Sequence, residues 1–157
     1  MLKKLSLGLF TSLLVTTSVA FQPRPAFSLS CLFTPLLSNI DASYPLIIGE
    51  VQSVESDGSI KVQVQETFIG AVNKTLLHID SRSFVYWSGS SALPKGSKWV
   101  FKLAPKIEQS EPYDFHISPC LNPPKVQGNN ILGYLSEQEA ETLSIQEFRS
   151  RVQNSVN

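Results

Sequence analysis

Between residues 60 and 68 the chain alternates: in "IKVQVQETF", just after an Asp57-Gly58 pair, Ile60, Val62, Val64 and Phe68 are separated by polar residues. The run before the pair, "LIIGEVQSV", is apolar and β-branched enough to be a partner strand. A pleated strand sends successive side chains to opposite faces, so Ile60, Val62, Val64 and Phe68 are expected on one side, with Lys61, Gln63, Gln65 and Thr67 on the other. Asp57-Gly58 supplies the positive-φ residues of a tight hairpin, and Gly49, inside an apolar run, marks a bulge or a sharp bend. Three shorter stretches continue the pattern. They are "TLLHID" (75–80), "SKWVFKL" (97–103), which groups Trp99, Phe101 and Leu103, and "PYDFHISPC" (112–120), which groups Tyr113, Phe115 and Ile117. Five strands, the first two long and one bent, predict a mainly β chain closed, or nearly closed, into a small barrel.

Toward the C-terminus the period changes. "LSEQEAETLSIQEF" holds two Ser-x-x-Glu spacings, Ser136 with Glu139 and Ser144 with Glu147, the arrangement that satisfies orphan donors at a helix start. Leu143 and Phe148 stand at staple positions around the second, and Ile145, Phe148 and Val152 form one apolar stripe. These signals predict a helix over about 145–153, with its stripe docked on the barrel.

Composition agrees with one domain: 157 residues at 42% hydrophobic content are enough for a real core. The N-terminus adds a leader. "MLKKLSLGLFTSLLVTTSVA" has two lysines, an apolar run and the small residues that suit a signal peptidase. That run is shorter than the ~20 residues of a spanning helix and is diluted by Thr and Ser, and no later segment could span a bilayer. Cleavage has three candidate places, after Ala20, Ser28 or Ser30. A lipid-modified Cys31 is an alternative use of the same stretch, although Ser28 stands where a leucine is usual. The chain therefore divides into a leader over 1–28, a barrel over 29–120 and an extension over 121–157, in a protein that is secreted or periplasmic.

Charge narrows the partners. The 13 basic and 13 acidic residues balance, but Lys3 and Lys4 leave with the leader, so the mature chain is mildly acidic and lacks the basic footprint of a nucleic-acid binder. In an exported chain the two cysteines read as one disulfide, Cys31 to Cys120. Closing a loop of about 90 residues, it would contribute on the order of 4–5 kcal/mol in the chain-entropy model.

Taken together, "YPLIIGEVQSVESDGSIKVQVQETFIGAVNKTLLHI", "LPKGSKWVFKL" and "YDFHISPC" resemble the netrin-like domain, the OB-type barrel of tissue inhibitors of metalloproteinases and their bacterial secreted relatives. The resemblance spans roughly Cys31 to Cys120 and implies a five-stranded barrel. In the animal inhibitors the mature chain starts at a cysteine whose amine and carbonyl chelate the protease zinc. Carried over, that residue is Cys31, with Leu32 entering the primed-side pocket of a metalloprotease. The role requires cleavage after Ser30. Phe33 stands where the family has a second early cysteine, and the family's further cysteines are missing.

Candidate chemistry is sparse. His78 and His116 are the only histidines, each near an aspartate (Asp80 and Asp114), and a barrel of this kind would bring their strands together, the minimum for a weak metal site. No nucleophile signature and no phosphate loop is present in the sequence, and Glu50 and Glu66 read as residues of the wet face. Asn73-Lys74-Thr75 fits a glycosylation sequon. In the loop over 81–96, Phe84, Tyr86 and Trp87 either plug the barrel mouth or present a contact surface to a protein or carbohydrate. The expectation is a non-catalytic binding or interaction module without a cofactor, with metalloprotease inhibition through Cys31 and metal binding through His78 and His116 as alternatives.

Overall fold

The computed structural model describes residues 35–82, 93–105, 112–118, 122–136 and 139–156. The chain divides into two units, Met1–Ser30 and Cys31–Asn157, and all described residues belong to the second. The leader, Cys31, Leu32, Cys120 and the aromatic trio Phe84, Tyr86 and Trp87 lie outside the described residues.

The hairpin is present as expected. β1 (Leu46–Val54) and β2 (Ile60–Ile69) run antiparallel, joined by residues 55–59 with Gly58 at φ 83°. β3 (Leu76–Asp80) pairs with β2, and β4 (Lys98–Lys102) pairs with the other side of β1. β5 (Ala104–Pro105) pairs antiparallel with β6 (Phe115–His116), which lies parallel to β3. Beyond β4 the sheet continues through β7 (Lys125–Gln127), β8 (Asn130–Gly133) and β9 (Glu141–Ser144), and the chain ends in helix α1 (Ile145–Val156).

Among the described residues the result is one open mixed sheet of nine strands in the order β5-β6-β3-β2-β1-β4-β7-β8-β9. This corrects the expectation of five strands closed into a barrel. Three of the added strands come from residues 125–144, assigned in the sequence to an extension. Each is only three or four residues long, too short for alternation to show. The fourth arises where a single extended run changes partner. β4 and β5 are separated by Leu103 alone, whose N–H still bonds the Pro45 carbonyl at 2.8 Å while Ala104 already faces His116.

Register along the first hairpin explains a second difference. Ile48 faces Glu66 and Gly49 faces Val64, leaving Gln65 unpaired; Leu46 faces Ile69 and Ile47 faces Thr67, leaving Phe68 unpaired. An extra residue in one strand resets the in-out alternation. Ile60, Val62 and Val64 therefore belong to one core and Phe68 to another, not to a single face.

Those two cores lie on opposite faces of β1. Ile47 and Val51 pack with Ile60, Val62, Leu77, Ile79, Phe101, Leu103 and Ile117. Leu46 and Ile48 pack with Val100, Val126, Ile131, Leu143, Phe148 and Val152. Full burial of each such side chain is worth about 1.5–3 kcal/mol, so a strand buried on both sides is the most heavily stabilised element of the sheet. Gly49 is required on the face that carries Ile47 and Val51. A Cβ there would overlap Val62 Cγ1 and stand 3.3 Å from the Phe101 ring.

Helix α1 starts where the second Ser-x-x-Glu spacing puts it, with the Glu147 N–H donating to Ser144 Oγ at 3.1 Å. Its stripe of Ile145, Phe148 and Val152 packs on the second core, and Phe148 meets Phe68 edge-on at 5.1 Å. Among the described residues the first spacing starts no helix: Glu139 and Ala140 lead into β9, the Ser136 N–H is held by Glu141, and Arg151 Nη1 donates to the Ser136 hydroxyl at 2.8 Å.

Candidate functional site

Polar side chains of catalytic type converge at one place among the described residues, where the β1–β2 connection meets the end of β3 and the start of β6. Asp57 folds back on its own turn: Oδ1 accepts the Ser59 N–H at 2.9 Å and the Ser59 hydroxyl at 2.7 Å. Oδ2 accepts the Tyr113 hydroxyl at 2.8 Å. Ser59 Oγ also lies 3.0 Å from His78 Nε2. The His78 ring meets the Tyr113 ring edge-on at 4.7 Å, and the Arg82 guanidinium stands 5.1 Å over the same ring. Beneath them Ser81 Oγ donates to the Gly58 carbonyl at 2.6 Å, which ties the turn to the end of β3.

Charges around the cluster are paired. Arg82 holds Asp80 in a fork, Nε to Oδ1 at 2.9 Å and Nη2 to Oδ2 at 2.7 Å. Asp114 accepts the His78 N–H at 2.9 Å and Lys74 at 2.6 Å. Three donors, the Ser59 hydroxyl first, then the Ser59 amide and Tyr113, hold the Asp57 carboxyl well below the usual carboxylate range. The bond to Asp57 and burial push the Tyr113 phenol up. Burial pushes Asp114 up, but the His78 amide and Lys74 outweigh it and leave the carboxyl lowered; Arg82 lowers Asp80.

Ser, His and Asp therefore meet here, but in the wrong order for a nucleophile. A catalytic serine gives its proton to histidine, which an aspartate orients. Here serine stands between the other two. Its single proton goes to the Asp57 carboxylate, an acceptor only, so the His78 Nε2–H donates to Ser59 Oγ. Ser59 is also 0% exposed, so no substrate carbonyl reaches it. The arrangement is a polar brace.

The histidines lie on neighbouring strands, as expected, since β3 and β6 pair. They are staggered: the register sets Asp80, not His78, opposite His116, and His78 Nε2 is taken by Ser59. His116 Nδ1 is buried with no partner among the described residues. Among the described residues no group of three or more His, Cys, Asp or Glu side chains gathers to hold a metal. Glu66 forms an ion pair with Arg149 at 2.6 Å and Glu50 one with Lys98 at 3.8 Å, both at part-exposed positions.

The sequence pointed to His78 and missed its partners. Asp57-Gly58-Ser59 carried the one local signal, the tendency of aspartate to bond the backbone two residues on. Comparison with protein-family models, with curated proteins and with solved structures finds no match to this chain.

Proposed function

We propose that this chain is an exported, non-catalytic binding module of the netrin-like, OB-type class, whose partner is a protein or a carbohydrate. The observation that carries the non-catalytic reading is the Ser59 hydroxyl, enclosed and donating its proton to Asp57 instead of to His78. The pairing pattern supports the barrel class. If Lys98–Pro105 counts as one strand bent at Leu103, then β1, β2, β3, β6 and that strand form a circuit of five, each hydrogen-bonded to the next and the last to β1. In this reading β7, β8, β9 and α1 are additions outside the circuit.

Small barrels of this class bind ligands on the outer face of their second and third strands and on the adjoining loops. The corresponding face here carries Lys61, Gln63, Leu76 and His78, with Leu76 47% exposed. Purified exported protein carrying a photo-crosslinking residue at Gln63 is exposed to an oligosaccharide array and to the proteins co-secreted with it. Leu76→Arg should cut capture about tenfold with an unchanged melting temperature. Ester or peptide hydrolysis abolished by Ser59→Ala overturns the non-catalytic reading. Capture that survives Leu76→Arg and is lost when Phe84, Tyr86 and Trp87 become alanine moves the contact to the loop.

A further inference from the structure

Residues 55–59 and 112–118 are remote in sequence, and no strand pairing joins them directly. β6 is attached to β3 through its own backbone: the Asp114 N–H bonds the His78 carbonyl at 2.7 Å and the Ile117 N–H bonds the Asp80 carbonyl at 3.0 Å. The turn is attached to β1 and β2, and through the Ser81 hydroxyl to the end of β3. What passes between the two segments is carried by side chains, the Tyr113 hydroxyl on Asp57 and the His78 ring, whose edge meets Tyr113 while its Nε2 meets Ser59. Both carboxylate oxygens of Asp57 are engaged in that relay, and Arg82 closes it from above. The turn depends on the same carboxylate, because Asp57 Oδ1 holds both polar groups of Ser59.

We propose that Asp57, Ser59, His78 and Tyr113 form a clasp that makes the β1–β2 turn and the 112–118 segment open and close as a single conformational unit. Losing one Tyr113 bond then loosens the turn, and losing the Asp57 charge loosens β6. Coupling between two sites is reciprocal, so each perturbation must be felt at the other end. Losing a hydrogen bond to a charged group should raise opening roughly tenfold.

Amide hydrogen exchange on the full chain under native conditions reads this directly. Tyr113→Phe keeps the ring and removes only the hydroxyl. It should speed exchange at Gly58 and Ser59 about tenfold, with the Phe148 and Val152 amides of α1 unchanged. Asp57→Asn should speed exchange at Asp114 and Ile117 by a similar factor. If Tyr113→Phe accelerates only the 112–118 amides, or Asp57→Asn only the turn, the two segments are independent and the clasp does not exist. Should Asp57→Asn fail to fold, Ser59→Ala takes its place: the clasp requires faster exchange at Asp114 and Ile117, and an effect confined to residues 55–60 refutes it.

Discussion

Replacing Phe148 with alanine tests whether α1 belongs to the cooperative core or merely rests on it. The side chain is 0% exposed, lies in the core that Leu143, Ile131 and Val152 share, and meets Phe68 edge-on with ring planes at 72°. Large-to-small changes of this kind cost about 3–5 kcal/mol through lost transfer energy and the cavity left behind. The lost aromatic pair, about 0.5–1.5 kcal/mol, places this site in the upper part of that range. Against a total stability of about 5–15 kcal/mol, the variant is strongly weakened but foldable. Urea unfolding should be followed by far-ultraviolet circular dichroism, which sees α1 and the sheet, and by tryptophan fluorescence, to which Trp99 reports from beside the opposite core. Because β1 is buried on both faces, the two signals should shift together to lower urea in a single transition. A loss below about 1 kcal/mol refutes the reasoning, as does a helix signal that melts early while fluorescence keeps its original midpoint.

Other outcomes rest on the same packing. Gly49→Ala forces a methyl group into Val62 and should cost about 1–3 kcal/mol in urea unfolding, the usual penalty of overpacking. Ser144→Ala removes the side-chain acceptor at the start of α1 and should cost about 1 kcal/mol by the same measurement. Arg149→Ala breaks the exposed pair with Glu66 and should cost about 0.2–1 kcal/mol, shrinking further in 1 M salt. The pH profile of the melting temperature should have two limbs. Asp57, Asp80 and Asp114 have folded pKa values below the ordinary 3.8, so their stabilisation is complete above that value and fades as pH falls through the lower folded values. Tyr113 is raised above 10.0, so its contribution is complete below pH 10 and fades as pH rises through the folded value. Tyr113→Phe should flatten the alkaline limb and, by taking one donor from Asp57, also lessen the acid limb.

Legibility in the sequence tracked how local each signal was. The hairpin, Gly49, the first four strands and the Ser144 cap were readable because turn chemistry and alternation act within a few residues. The positions of Gln65 and Phe68 were not, since a bulge is defined against a partner strand and not within its own. Residues 125–144 hid three strands too short to show a period. The Ser136 spacing imitated a helix start, because the same residue pattern can precede a strand, and here the Ser136 amide is held from β9 by Glu141. The relay from Asp57 to Tyr113 joins residues that only the closing of β6 onto β3 brings together. No count of serines, histidines or aspartates could have revealed which of them holds the proton.

A strand with a core on each face also sets the order of events by which the chain reaches its native state. β1 can zip to β2 early, since the two are joined by a short turn, but its second neighbour is far along the chain, with Gly49 opposite Trp99. Both cores stay incomplete until that distant ladder forms. The entropy of closing so long a loop must be met before either core repays it. Refolding should therefore be slow for a domain of this size, in the millisecond-to-second range of about 1 ms to 1 s typical of sheets built from remote pairings, with β1–β4 closure as its rate-limiting step.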